Sequence, residues 1–424
     1  MDARAMLLVL AAYTRARLRA RHLSSRERLV RYQDRQVRRL VDYAATHFPY
    51  YRAFAHQDLA ALPVIDKTIL VGNFQNFNRF GIDTDAVREV LSEGRERIGE
   101  AVVGQSTGTS GNRGYYVITD AERFVWLGTL LAKALPDALW RRHRVALALP
   151  GLSDLYRSAT SGSRTSLAFF DLAQGVDAWA DRLVQFTPDT IVAPPKVLRL
   201  LAERGQLTAR RIFSGAEVLD PLDRAVIEQA TGVRVREIYM ATEGLFGVGC
   251  AHGTLHLAED VVHFEWRQDP TWQGLAEPAV TDFTRRAQAM IRYRMNDLIE
   301  LSDEPCACGS IYQPVLRIAG RADDLLLIAA PSGEIRTVTP DVVRNAIIDA
   351  DPSIDDYRVV QTAPAELTVH LDAGVSETVA AKVRAALAAR LGAMGLVPEV
   401  IVRRGITVPF DRKLRRVMRQ FRAG

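Results

Sequence analysis

Cysteine and lysine are the scarce residues of this 424-residue chain. Its three cysteines, Cys250, Cys306 and Cys308, exclude a disulfide framework as the basis of the fold. Lysine occurs at only five positions, 67, 133, 196, 382 and 413, and the other basic residues, of 55 in all, are arginine. No segment approaches the roughly 18 consecutive apolar residues of a membrane span. The apolar run from Met6 to Ala12 is short, lacks a small-residue cleavage site and passes at once into arginine-rich sequence. It reads as the buried start of a helix, not a secretory signal, and a cytoplasmic protein is expected. There is no basic tract interleaved with aromatics, so nucleic acid is not expected as a partner. The net charge of +5 suits anionic ligands or an acidic partner protein. Internal repeats and long low-complexity tracts are absent. What is present is ordinary for a soluble globular protein, 48% hydrophobic and 25% charged residues, in a chain long enough for more than one domain.

Residues 24–47 carry apolar side chains at helical spacing, Leu29, Val37, Leu40, Val41 and Ala44, with Arg and Asp on the other face. Ser24 and Glu27 have the spacing of a capping box at its start. From about 143 to 242 the pattern becomes strand–helix alternation. β-rich runs at 145–149, 166–170, 190–193, 211–213 and 233–239 are separated by helix-like stretches at 177–186, 196–204 and 221–230. This predicts an α/β fold with a parallel sheet covered on both faces, which binds ligands at the carboxyl ends of its strands. Residues 325–424 predict a small α+β domain: a helix from Thr339-Pro340, strands at 357–362 and 367–371, an Ala-rich helix at 376–392 and a strand at 399–403. The expected division is a large domain, 1–320, a junction, 321–324, and a small domain, 325–424.

Six stretches carry chemistry. In Gln105-Ser106-Thr107-Gly108-Thr109-Ser110-Gly111-Asn112-Arg113-Gly114, glycines permit tight turns whose N–H groups converge, and hydroxyls donate to phosphate oxygens. It is not a Walker loop, because the Gly-Lys-Ser/Thr ending is missing. Ser214-Gly215-Ala216-Glu217 and Tyr239-Met240-Ala241-Thr242-Glu243 each close a predicted strand. Gly-Ala admits a flat ligand, Tyr239 can stack on a base, and the Glu243 carboxylate can hold Mg²⁺ against phosphate. Asp297, in Arg292-Tyr293-Arg294-Met295-Asn296-Asp297, can accept two hydrogen bonds from ribose hydroxyls. The junction Gly320-Arg321-Ala322-Asp323-Asp324 is the fifth stretch, and Lys413, in Asp411-Arg412-Lys413-Leu414, is the sixth.

In order and spacing these stretches resemble the adenylate-forming enzyme superfamily. The branch they resemble is that of the phenylacetate-CoA ligases and the related deazaflavin-coenzyme adenylyltransferases. Tyr50-Tyr51-Arg52, Leu62-Pro63-Val64-Ile65-Asp66-Lys67, Ile291-Arg292-Tyr293-Arg294 and Cys306-Ala307-Cys308-Gly309 belong to the same resemblance. It runs over roughly 40–424 and is patchy from 120 to 190, where the family's acid-binding residues usually lie. The resemblance implies a large domain joined to a small mobile C-terminal domain. It implies that Ser106, Thr107, Gly108, Thr109, Ser110 and Gly111 cradle the β- and γ-phosphates of ATP. Ser214, Gly215, Ala216, Glu217 and Tyr239 would flank adenine, Thr242 would meet the α-phosphate, and Glu243 would hold Mg²⁺. Asp297 and Arg321 would bind and support the ribose, Asp323 would be the hinge, and Lys413 would reach the α-phosphate and the substrate carboxylate. This sequence departs from the pattern with Asn112-Arg113 in place of a lysine, with Met240 in place of a glycine and with Asn296 in place of a glycine or arginine.

Some members of that branch bind zinc through residues at the places of Cys250, His256, Cys306 and Cys308. Three thiolates and one imidazole would form a closed, structural site, with His252 as the rival fourth ligand. The implied reaction joins a small carboxylic acid, aryl or arylacetic, to AMP and then to a thiol, either coenzyme A or the phosphopantetheine of an acyl carrier protein. The segment 152–156 is a candidate lining of the acid pocket. Transfer of AMP to a hydroxyl, and a non-catalytic nucleotide-binding partner protein, are the alternatives. A homodimer stays open.

Overall fold

The computed structural model describes residues 3–105, 114–149, 165–272, 274–406 and 415–421. The chain divides into two compact units. The first comprises Met1–Trp266, Pro278–Met295 and Ser302–Leu316; the second comprises Arg267–Glu277, Asn296–Leu301 and Arg317–Gly424.

In the first unit five parallel strands lie in the order Thr165–Asp171, His143–Leu149, Thr190–Ala193, Arg211–Gly215, Val235–Ala241. Helices Ala180–Phe186, Pro195–Glu203 and Pro221–Thr231 make the crossovers. One row across the sheet, Ala146, Ile191, Ile212 and Val235, is buried on one side. Alternate positions Val145, Leu147, Phe213 and Ile238 pack on the other side with Leu130, Leu131 and Ala134 of helix Asp120–Ala134. Both faces are therefore covered, as the near-continuous apolar runs predict. The chain reverses its direction of travel beside His143–Leu149, a topological switch point of the kind at which open α/β sheets bind ligands. Gly244–Gly249 and Leu255–Leu257 extend the sheet antiparallel. A separate hairpin pairs Ala101–Gln105 with Tyr115–Thr119, placing Gln105 opposite Tyr115 at the two ends of the hydroxyl- and glycine-rich stretch.

Two sequence expectations need correction here. The second helix, Arg26–His47, is capped by Ser25, not Ser24: Ser25 Oγ accepts from the Arg28 N–H at 3.4 Å. The third helical residue after that cap is Arg28, so no reciprocal box with Glu27 forms. The run 6–12 lies in helix Ala3–His22 but is only half covered, and Met6, Leu7 and Leu10 stay exposed. The helix is apolar on two sides, and one side alone packs against helix Asp120–Ala134. That packing is close because Gly128 has no side chain: a Cβ there would lie 2.3 Å from the Val9 carbonyl oxygen. Gly128→Val is expected to push the helices apart at about 1–3 kcal/mol, read as a lower melting temperature and faster proteolysis within residues 3–22. Unchanged stability would show that the crossing is not tight in solution.

In the second unit strands run in the order Glu399–Arg404, Glu366–Leu371, Tyr357–Ala363, Val417–Arg419, with helices Pro340–Ile348 and Glu377–Gly392 and a core that includes Val343, Val359, Val369 and Leu387. The helix starts follow their sequence signals: Pro340 opens one, and Ser376 Oγ accepts from the Val379 N–H to cap the other. This is the α+β pattern expected of residues 325–424, with two earlier chain segments added. Among the described residues no helix is long and apolar enough to cross a membrane.

Candidate active site and metal centre

Ala241 pairs with Gly244, so Thr242 and Glu243 are the two residues at the tip of a tight hairpin at the carboxyl edge of the parallel sheet. The tip is held from below. The buried guanidinium of Arg285 donates to both backbone carbonyls, Thr242 through Nη2 and Glu243 through Nε at 3.2 Å. Gly244 is required beside it, since a Cβ there would meet Asp282 Oδ2 at 2.8 Å. Burial pushes the Asp282 carboxyl above its usual range; Arg285 and the hydrogen bonds from Thr284 oppose the shift. The Glu243 carboxylate accepts from Thr242 Oγ1 at 2.8 Å and from Tyr293 Oη at 3.3 Å. Among the described residues it forms no ion pair. A half-buried carboxylate with hydroxyl neighbours and no ion pair among the described residues fits a hard divalent ion.

The adjoining strand Arg211–Gly215 ends in Ser214 and Gly215, both buried. Ser214 Oγ is enclosed and, among the described residues, has no hydrogen-bond partner. Ala216 is held at φ +67, a conformation costly for a residue with a Cβ. The Glu217 carboxylate lies 3.1 Å from Lys196 Nζ, with both side chains nearly buried, so these charges neutralise each other at the sheet edge. Tyr239 is 8% exposed and its ring tilts against Phe246, 5.2 Å between centroids.

On the far side of strand Gly244–Gly249 two short turns face each other. In one, Cys250 N–H donates to the Thr254 carbonyl, and Gly253 turns the chain at φ +84. In the other, Gly309 N–H donates to the Cys306 carbonyl at φ +74. These turns bring Cys250, His256, Cys306 and Cys308 together with their ligand atoms within 4.8 Å of one another. Cys250 Sγ and Cys306 Sγ are 3.8 Å apart, and Cys308 Sγ is 3.3 Å from His256 Nε2. Zn–S bonds of about 2.3 Å at a tetrahedral angle require sulfur atoms roughly 3.8 Å apart. His256 Nδ1 donates to the Tyr312 carbonyl at 3.1 Å, which leaves the Nε2 lone pair facing the thiols. Partial desolvation, with the neighbouring thiols, pushes the Cys308 thiol up to about 11; a cation would let the three sulfurs ionise together. The residues fit zinc. The exposed His252 contributes its backbone N–H to Cys250 Sγ at 3.4 Å, and its ring is not in the cluster.

In the second unit Asn296, at φ +64, precedes Asp297 at the start of strand Asp297–Leu301. Asn296 Nδ2 donates to Asp323 Oδ2 at 2.6 Å, and its carbonyl accepts from the Ala322 N–H at 2.9 Å. The turn that carries Asp297 is thereby tied to the turn that carries Arg321 and Asp323. Asp324, buried beneath, is paired with Arg415.

No protein-family profile matches the chain. It is 25% identical over 374 residues to phenylacetate-coenzyme A ligase of Thermus thermophilus, covering 79% of this chain and 78% of that one. Among solved structures, 2-hydroxyisobutyryl-CoA ligase in the postadenylation state with 2-HIB-AMP superposes with a TM-score of 0.70 at 22% identity, covering 93% of this chain and 90% of that chain. The fold is that of the adenylate-forming enzymes. An anthranilate CoA ligase in complex with anthranoyl-AMP also matches, with a TM-score of 0.50 at 14% identity, over 71% of this chain and 63% of that chain. In sequence the chain resembles the phenylacetate-CoA ligase-like branch of this superfamily.

The adenylate-forming fold thus carries Ser214 to Glu217, Tyr239, Thr242 and Glu243 on neighbouring strand ends of the first unit, and Asp297 and Arg321 on adjoining turns of the second. The phosphate-loop residues 106–111, the segment 152–156 and Lys413 lie outside the described residues. Sequence reasoning missed Arg285, Asp282 and Lys196. Arg285 is one arginine among many and carries no signal. Lys196 is one of five lysines, at the start of a predicted helix, and its scarcity could have marked it. Tyr293 lies inside the stretch Arg292 to Asp297, in which the sequence assigns a role to Asp297 alone.

Proposed function

We propose that the protein activates a carboxylic acid with ATP as an acyl-adenylate and passes the acyl group to a thiol. The observation that carries this reading is the Thr242-Glu243 tip, held by Arg285 and carrying a carboxylate without a cationic partner among the described residues. The relatives support it: one is a phenylacetate-coenzyme A ligase and two solved structures are CoA ligases in complex with 2-HIB-AMP and anthranoyl-AMP. The acid is proposed to be aryl or arylacetic and the acceptor to be coenzyme A or a carrier-protein phosphopantetheine. Mg²⁺ held by Glu243 would spread the negative charge of the phosphates. Positioning and charge stabilisation do the rest, since little proton transfer is needed. Thr242 offers a hydroxyl at the tip, Ser214 to Glu217 would flank adenine at the next strand end, and Asp297 would be a ribose acceptor. The cysteine and histidine cluster is proposed to hold a structural zinc. The test is ATP–pyrophosphate exchange over a panel of carboxylic acids, followed by thiol addition. Acid-dependent exchange and thiol-dependent release of free AMP are expected; AMP retained on a hydroxyl product would give the protein to the transferase class.

Lys413 is proposed as the cation that meets the α-phosphate and the attacking carboxylate. Lys413→Ala is expected to lower adenylate formation by roughly two orders of magnitude or more. Thioester formation from a synthetic acyl-adenylate should stay near wild type. Equal losses in both steps would place Lys413 in folding or general binding.

A further inference from the structure

We propose that the outward face of helix Ala3–His22 docks on an anionic lipid surface. One side of this helix is fixed to the first unit. Val9 and Ala12 pack on Gly128, Tyr13 Oη donates to the Leu135 carbonyl, and Arg19 lies 3.5 Å from the buried Asp260. The opposite side is apolar and uncovered. Leu7, Leu10, Thr14 and Leu18 follow at spacings of three and four, which puts them on one line. Leu7 is 66% exposed, Leu18 56% and Leu10 44%, with Met6 at 45% beside them. Trp140, 66% exposed, follows directly on Leu139, which packs against Tyr13 and Ala16 of the same helix.

Charge decides what covers this face. The helix contains five arginines and no acid. Residues 3–41 hold eleven arginines against Glu27 and Asp34, an excess of nine; Arg19 and Arg26 are paired with Asp260 and Glu259, which leaves seven. The whole chain has an excess of only five, so the remaining residues together are net acidic and the positive charge is concentrated here. A second copy of the helix would set arginine against arginine. Nucleic acid would leave the leucine line without an apolar partner. An anionic bilayer supplies both needs, with headgroups for the arginines and the acyl boundary for Leu7 and Leu10. The helix is not apolar enough to span, so it lies on the surface.

The test uses the full chain and sedimentation with vesicles of phosphatidylcholine containing about one third phosphatidylserine, against vesicles of phosphatidylcholine alone. Binding to the anionic vesicles alone is expected, weakening as salt rises. Leu7→Glu with Leu10→Glu should lower partition by about tenfold or more. Replacement of Arg4, Arg15 and Arg21 with Gln, which leaves the packed side untouched, should lower it in the same direction and flatten the salt dependence. Absence of binding at low salt overturns the proposal, as does binding that neither variant changes. Concentration-dependent dimerisation lost in the leucine variant, without lipid binding, would give the face to a second copy.

Discussion

Replacing Glu243 with Gln is expected to lower acid-dependent ATP–pyrophosphate exchange by about a hundredfold or more while leaving the melting temperature unchanged. The loss follows from charge. A carboxylate is a hard anionic ligand for a divalent cation, and the isosteric amide keeps the shape and loses the charge. The unchanged stability follows from the neighbours. Glu243 is half-buried and accepts from two hydroxyls, Thr242 Oγ1 and Tyr293 Oη. A hydroxyl can rotate to accept from the new amide N–H, so no buried group is left unpaired. Two companion variants sharpen the reading. Tyr293→Phe removes a long hydrogen bond to the charged carboxylate, worth about 1.5 kcal/mol, and should cost roughly tenfold. Arg285→Gln releases the two carbonyls that fix the tip and leaves the buried Asp282 without its nearby charge, so it should lower stability and exchange together. The assignment of Glu243 fails if the amide variant turns over at the wild-type rate across a range of Mg²⁺ concentrations.

The parallel sheet was legible because its strands are short β-rich runs with helices between them, and burial on both faces leaves little else that such runs can form. The small α+β pattern was legible for a similar reason, with Thr339-Pro340 and Ser376 marking helix starts that the fold uses. The Ser24 cap was misplaced by one residue because adjacent serines offer two equivalent signals, and only the backbone decides between them. The exposed leucines of the first helix were misread because composition cannot say which side of a doubly apolar helix finds a partner. The family motifs at 50–52 and 62–67 had no role readable from sequence. In the fold they hold the 291–294 segment: Tyr51 Oη donates to the Ile291 carbonyl, Ile65 N–H to the Arg292 carbonyl, and Arg294 pairs with Asp66. Contacts made over more than two hundred residues of chain leave no local pattern. The same holds for Arg285, whose partners lie more than forty residues earlier.

Loss of one cluster ligand is expected to have the largest effect on stability. Cys306→Ser should lower the apparent melting temperature by roughly 5–10 °C, the equivalent of about 3–5 kcal/mol in a domain of this size. The cluster joins two turns that are separate in the chain, and the turn that holds Cys306 and Cys308 has little apolar burial of its own: Cys308 is exposed and Cys306 half-buried. A proposed zinc would therefore be the main link between that turn and the hairpin end at Cys250, and metal binding of this kind is folding free energy. Serine keeps the size of the side chain but supplies no thiolate at neutral pH, so the link is lost without a packing defect. Four protein ligands would leave the proposed zinc no open position, so the site would take no direct part in chemistry. Exchange activity measured well below the melting temperature should thus stay within a few fold of wild type. About one zinc per chain should be found in protein purified without a metal-affinity tag, and a strong chelator should release it and expose three reactive thiols. Metal-free protein with all three thiols already reactive and a melting temperature indifferent to Cys306→Ser would leave the cluster as three thiols and an imidazole that meet without a metal.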